Sequence, residues 1–354
     1  MMQIEFIENK SPKQKPNQNN LGFGQYFTDY MFEMDYLPEE GWVNPAIKPY
    51  GPINIEPAAM IFHYGQSVFE GLKAYKTVYD EIILFRPYKN IERLNKSNVR
   101  MCIPKLDVEF VIYAITQLVK LEKAWIPTSE GTSLYIRPFV FATDSCVGVR
   151  HSNNYKFMII LSPVGAYYPE GFNPIRIFVE QNYVRTVKGG IGEAKTAGNY
   201  AASIKAQYEA KKQGYSQVLW LDGVEHKYVE EVGAMNIFFK IGEEIVTPQL
   251  NGSILEGITR ASVIELLRTF GYQVTERKIS IDEIVKSQLE GNLTEVFGTG
   301  TAAIISPVGE IWLEGKKFVI NEGQVGNVSL KLYDKLTKLQ TGKIKDEYGW
   351  TIKI

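Results

Sequence analysis

Lys195 stands in a run of small residues, Gly189 to Gly214 reading GGIGEAKTAGNYAASIKAQYEAKKQG, with Asn199 and Tyr200 following closely. A lysine in a tight, glycine-rich loop can hold its amine against a bound carbonyl compound as the neutral nucleophile that Schiff-base formation needs. A lone lysine is more simply a solvated surface residue, so the surrounding segments have to decide. Ser203 offers Lys195 a partner for Ser/Lys hydrolysis, but no nucleophile-elbow or oxyanion-hole sequence accompanies the pair. Glu230 and Glu231 form a carboxylate pair in KYVEEV, and Arg93 lies in NIERLNKS. Thr259, preceded by Gly257, can cap a helix whose free N–H groups would receive an anion. Cys102 and Cys146 have no metal or redox spacing, and His63, His151 and His226 are too scattered for a metal site.

These residues need elements to hold them. Alternation and turn residues suggest strand-like runs in GPINIEPAAM, SVFEGLKAYKTV, EIILFRP, SLYIRPFVFA and KFMIILSPVGA. Pro87–Val99 has helical spacing through Ile91, Leu94 and Val99. DVEFVIYAITQLVKLEKAWI is strongly amphipathic, with Phe110, Ile112, Ile115, Leu118, Val119 and Leu121 apolar. Further along, IRIFVEQNYV, QVLWLDG, KYVEEV and NIFFKIGEEIVTP read as strands. Tyr200–Gln213 reads as a helix stopped by Gly214. Ile254–Gly271 holds a helix with Val263, Leu266, Leu267 and Phe270 inward, and Gly298–Ala302 is a Gly/Thr turn between apolar strands.

At 354 residues the chain exceeds the usual limit of one core, so two domains are expected. The expected division is a flexible lead-in over 1–20, a small domain over 21–164, a Gly/Pro/aromatic linker over 165–174 and a large cofactor-binding domain over 175–354. A net charge of −1 leaves no nucleic-acid footprint. No apolar run approaches the roughly 18 residues of a membrane span, and the N-terminus has neither a signal-peptide core nor a transit-peptide pattern. A cytoplasmic address is the simplest expectation.

The segments FGQYFTDYM, HYGQSVFEGLKAY, NIERLNKS, LYIRPF, PVGAYY, AKTAGNYAAS, EEVGAMNIF, ILEGITR and FGTGTAA occur in that order. Together they resemble the branched-chain amino acid aminotransferases of pyridoxal-phosphate fold type IV, nearer the longer, animal-like branch than the shorter bacterial one. The likeness runs from about Phe23 to the C-terminus. It implies an α+β, two-domain fold, with a small N-terminal α/β domain and a larger C-terminal domain with a barrel-like sheet. It also implies reversible transamination of leucine, isoleucine and valine with 2-oxoglutarate.

The resemblance further implies pyridoxal 5′-phosphate held by a Schiff base on Lys195, whose freed amine then shuttles the substrate proton. Tyr200 would hydrogen-bond the ring oxygen and Glu231 would face the pyridine nitrogen, Glu230 pointing to solvent. Arg93, the N–H groups of Ile258 and Thr259, the Thr259 hydroxyl and Thr301 would take the phosphate. Phe23, Tyr64, Phe69, Tyr135 and Tyr167 would wall the substrate pocket. Arg137 would receive the side-chain carboxylate of glutamate, and the Thr301–Ala302 turn the α-carboxylate. The loop Asp144–Val149 would complete the site of a second subunit, giving at least a homodimer. The chain departs from the family at Glu256 and Ala234, which touches loop and surrounding detail. Ala303 and Ser306 replace the thiol pair of the animal enzymes, so no thiol switch is expected. D-amino acid aminotransferase and aminodeoxychorismate lyase are the near rivals, opposed by Arg137 in its YIRP context. A catalytically dead relative is opposed by the retained Lys195, Tyr200, Glu231 and Arg93.

Overall fold

The computed structural model describes residues 2–165 and 172–354. Contacts divide the chain into two units, Met1–Tyr167 with Ala194–Ala197 and Lys338–Ile354, and Tyr168–Glu193 with Gly198–Thr337. The chain therefore changes unit on either side of Lys195, and its C-terminal residues join the first unit. Residues 166–171 of the expected linker lie outside the described residues.

The first unit is a nine-stranded sheet. It contains β1 (Glu5–Phe6), β2 (Tyr30–Leu37), β3 (Gly41–Pro49), β4 (Ser67–Phe69), β5 (Leu72–Lys76), β6 (Ile82–Phe85), β7 (Ser133–Ala142), β8 (Tyr155–Val164) and the C-terminal strand Thr351–Lys353. The segment expected as a lead-in is tied down, because β1 pairs in parallel with β3 through Glu5–Ala46 and Phe6–Ile47. The expected strand across Gly51–Pro57 does not form; Pro52 and Pro57 each lack the N–H a ladder needs. β7 pairs along its whole length with β8 and also with β5. Its alternation sends Leu134, Ile136 and Val140 into the core, with Tyr135, Arg137 and Phe139 on the opposite face. The core lies against α2 (Pro87–Arg100) and α3 (Val108–Leu121), which follow the short α1 (Met60–Tyr64). Pro87 opens α2, and the Asp107 side chain caps α3 by accepting from Phe110 N at 2.7 Å. Leu121, expected on the buried face of α3, is exposed, and Val111 takes an inward place.

The second unit is also a nine-stranded sheet. Its strands are β9 (Ile175–Val179), β10 (Gln217–Leu221), β11 (Val229–Val232), β12 (Asn236–Ile241), β13 (Glu244–Pro248), β14 (Gln273–Arg277), β15 (Leu293–Gly300), β16 (Ile304–Leu313) and β17 (Lys316–Val319). Parallel pairs (β9–β10, β9–β16, β13–β14) mix with antiparallel ones. Helices α4 (Ala197–Lys212), α5 (Ile258–Thr269), α6 (Ile281–Leu289) and α7 (Asn327–Gln340) connect the strands. Gly214 has φ +84°, the left-handed position past the end of α4 that the sequence pattern requires.

Candidate active site

In the first unit the Lys195 segment is sewn to the sheet. Phe69 N donates to Lys195 O at 3.0 Å, and Thr196 Oγ1 donates to Ser67 O at 2.6 Å. Lys195 N donates to Ser97 Oγ on α2 at 2.9 Å. Backbone and side-chain bonds on both sides thus fix the direction in which the lysine leaves the chain. Lys195 Nζ lies 4.9 Å from the centroid of the Phe69 ring.

Arg137 shares that ring. Its Cζ is 4.7 Å from the Phe69 centroid and 5.2 Å from that of Tyr135. Its Nη2 donates to the Tyr135 hydroxyl at 2.9 Å, while its buried Nε has no hydrogen-bond partner among the described residues. Phe23 packs edge-on against Tyr135 at 5.0 Å. The close approach of Tyr135 depends on Gly71: a Cβ there would sit 2.0 Å from the Tyr135 hydroxyl. Lys73, in register with Tyr135, is buried, and that burial lowers its amine pKa to about 8. Four expected site residues, Phe23, Phe69, Tyr135 and Arg137, are therefore contiguous with Lys195.

Arg93 is buried and meets fully buried Glu70 with two bonds, Nε to Oε1 at 2.7 Å and Nη2 to Oε2 at 3.0 Å. Asn90 Nδ2 (2.9 Å) and Gly71 N (3.0 Å) also donate to Glu70. Burial alone would raise the Glu70 pKa. The Arg93 charge and bonds, with the Lys195 charge and Asn90, outweigh it and hold the carboxyl below its ordinary value. Glu70 was not expected from sequence; an acid inside the apolar run SVFEGLKAY was the available signal.

Tyr64 stands apart from that cluster. It is 39% exposed at the end of α1, and its hydroxyl donates to the Val147 carbonyl. It is thus joined to the Asp144–Val149 loop. Tyr167 lies outside the described residues.

In the second unit Glu231 is buried on β11. Its Oε1 receives Leu255 N at 2.9 Å and Asn236 Nδ2 at 3.4 Å, and its Oε2 lies 3.1 Å from Arg185 Nε. That last approach is an ion pair without the alignment of a hydrogen bond. Glu230 does not face solvent as the strand alternation suggested. It is 4% exposed and accepts from the Ser253 hydroxyl, because the segment around Asn251–Ser253 covers the second face of β11. Burial first raises the Glu230 pKa and the Glu231 charge adds to it, against bonds from Ser253 and Asn251 and the Arg185 charge.

Asn236 continues the set toward α5. Its Nδ2 also donates to Leu255 O at 3.0 Å, and a Cβ on Gly257 would lie 1.9 Å from its Oδ1. Thr259 does not cap α5. Gly257 occupies the cap position without a side-chain bond, and Thr259 is buried in the first turn. The opening N–H groups of α5, including those of Ile258 and Thr259, therefore meet no capping side chain among the described residues, and the helix dipole favours an anion there. Asn236 is in register with Thr299, beside the turn at Thr301–Ala303. Thr299 Oγ1 and Ser306 Oγ are buried without partners among the described residues. Ile304 leaves the turn at φ +64°, a costly conformation for a β-branched residue, of about 1–3 kcal/mol, that sets the turn's direction. Tyr200 is half-buried on α4. Ser203 Oγ donates to Tyr200 O at 2.8 Å, a helix back-bond that gives no support to a hydrolytic nucleophile.

Taken separately, each unit offers groups of the kind pyridoxal phosphate needs: the first an aromatic-flanked lysine, the second the buried Glu231 carboxylate paired with Arg185 and a helix start lacking a side-chain cap. Residues 67–311 match the family model for Amino-transferase class IV. The chain is 58% identical over 353 residues to branched-chain-amino-acid aminotransferase 2 of Bacillus subtilis (strain 168), covering all of this chain and 97% of that protein. Its structure is similar to the Escherichia coli branched-chain amino acid aminotransferase, with TM-score 0.76, 27% identity, and coverage of 91% of this chain and 98% of that one. It is also similar to the T.th. branched-chain amino acid aminotransferase complexed with N-(5′-phosphopyridoxyl)-L-glutamate, with TM-score 0.72, 28% identity, and coverage of 90% and 97%.

Proposed function

The chain belongs to the class IV aminotransferase family, and from that premise we propose how its residues divide the work of one reaction. The chain is a branched-chain-amino-acid aminotransferase of α+β, fold type IV architecture. It reversibly exchanges the amino group of leucine, isoleucine or valine with 2-oxoglutarate. Pyridoxal 5′-phosphate, when bound, supplies the carbonyl that takes the amino group and the electron sink for charge at the substrate Cα.

The observation that carries the substrate reading is the shared Phe69 ring. The amine of Lys195 and the guanidinium of Arg137 both lie against it. A branched aliphatic side chain can pack on such an aromatic wall, while glutamate's second carboxylate has a cation beside it. Lys195 Nζ moves the proton at the substrate Cα, and its fixed backbone keeps that transfer on one face of the substrate in both directions. Glu231 holds a proton on the pyridine nitrogen, and Tyr200 donates to the ring oxygen. Arg93, the Ile258 and Thr259 N–H groups, the Thr259 hydroxyl and Thr301 bind the phosphate. The Thr301–Ala302 turn takes the α-carboxylate. Phe23, Phe69, Tyr135 and Tyr167 exclude water from the reacting atoms.

The enzyme works as at least a homodimer, in which Tyr64 and the Asp144–Val149 loop complete a partner's pocket. Exposure of Phe62 (60%), of Val147 (68%), which Tyr64 touches, and of Val149 (85%) in the same loop supports this. Its address is the cytoplasm; among the described residues no helix is long and apolar enough to cross a membrane.

The test compares wild type with Lys195→Ala, by visible absorbance of bound cofactor and by transamination of leucine with 2-oxoglutarate. Wild type should show the band and turnover, and the variant should lose both. Cofactor binding without leucine turnover would sink the substrate reading, and a wild type that takes up no added pyridoxal phosphate would sink the whole reading.

A further inference from the structure

Arg185 has no part in the reaction as described, yet it is buried where Glu231 and the glycine-rich loop meet. Besides its 3.1 Å approach to Glu231 Oε2, its Nη2 donates to two carbonyls, Gly192 O at 3.2 Å and Ser253 O at 2.5 Å. Gly192 belongs to the loop leading to Lys195. It is pressed so close that a Cβ would lie 2.2 Å from the same Ser253 oxygen. One guanidinium therefore ties together a carboxylate, the loop and the segment that covers β11.

Charge makes the tie consequential. Glu231 and Glu230 are adjacent and both buried, at 3% and 4% exposure, and the Glu231 charge disfavours ionisation of Glu230. Two buried carboxylates beside each other take up a proton unless a cation opposes it. The Arg185 guanidinium is such a cation, and it lies against Glu231. We propose that Arg185 is a positioning residue that keeps Glu231 an anion aimed at the cofactor's ring nitrogen while fixing the glycine-rich loop at Gly192. A neutral Glu231 would leave no charge to hold a proton on that nitrogen, so the electron sink would weaken without any loss of the lysine. The inference rests on the reading of Glu231 as the ring-nitrogen partner.

The test reads the carboxylate directly. Full-length protein, with and without pyridoxal phosphate, is labelled with 13C at glutamate carboxyls. The Glu231 resonance is assigned by its absence in Glu231→Gln. In wild type it should stay at the ionised position between about pH 5 and 8. In Arg185→Met it should titrate within that window, and the dissociation constant for pyridoxal phosphate should rise about tenfold or more. Arg185→Lys keeps the charge and should return the resonance to the ionised position. A merely structural arginine would lower the melting temperature in both variants and leave the resonance unmoved; that result overturns the proposal. If Arg185→Met does not fold, Arg185→Lys decides alone, since a Glu231 that titrates despite the retained charge also overturns it. Should wild type bind no pyridoxal phosphate, the aminotransferase reading falls, while the titration still judges the Arg185–Glu231 pair.

Discussion

Replacing Arg137 by methionine should separate the two substrates of the enzyme. Methionine keeps the length of the side chain and its packing on Phe69 and Tyr135, but removes the charge. In the structure Arg137 makes a 2.9 Å bond to Tyr135 and has a buried Nε without a partner among the described residues. A carboxylate arriving from glutamate would gain one or two charge-assisted bonds, each of about 1.5–3 kcal/mol. At about 1.4 kcal/mol per factor of ten, losing them costs roughly 10- to 10⁴-fold in kcat/KM for glutamate and 2-oxoglutarate. Leucine makes no such bond, so its half-reaction should change by less than about threefold. Each half-reaction is followed alone, as single turnover of the bound cofactor's absorbance with glutamate or leucine. Equal losses for both substrates would mean that Arg137 supports the wall and not the carboxylate. An unchanged glutamate reaction would remove Arg137 from substrate selection altogether.

Two further outcomes follow from packing and charge in the first unit. Gly71→Ala places a Cβ 2.0 Å from the Tyr135 hydroxyl, so the ring must move by roughly 1.5 Å to regain ordinary contact. The expected cost is about 1–3 kcal/mol of stability in denaturant unfolding, with slower turnover of leucine and glutamate alike; a fully stable, fully active variant would show that Tyr135 has room to yield. Glu122 has its pKa raised to about 7, by burial first and by the Asp29 charge, against bonds from the Tyr30 and Asp29 backbone and from Thr28. The folded state thus holds a proton that the unfolded chain releases near its ordinary value, so stability is full below about pH 4.5 and falls as pH rises toward 7. Glu122→Gln removes this dependence. Its melting temperature should gain on wild type between pH 5 and 8 by a few degrees, roughly 1–2 kcal/mol after solvent screening. A constant gap across that range would refute the assignment.

Much of the architecture is written locally. The amphipathic spacing of α2 and α3, the glycine stop after α4, the alternation of β7 and the small-residue run around Lys195 are short-range patterns. Each depends on which face a residue takes or which backbone angles it tolerates. The order of nine short segments likewise carried the family. Local rules failed where a second segment, distant in the chain, decided the environment. Glu230 read as solvent-facing because β11 alternates, but Asn251–Ser253 covers its other face. Thr259 read as a cap, but the glycine before α5 sits against Asn236 and takes that position. Glu70 meets Arg93 on α2, and Arg185 meets Glu231 on β11, only because folding brings separate elements together. No periodicity encodes such pairings. They are decided by the cost of burying a charge alone, which tertiary structure must answer with a partner.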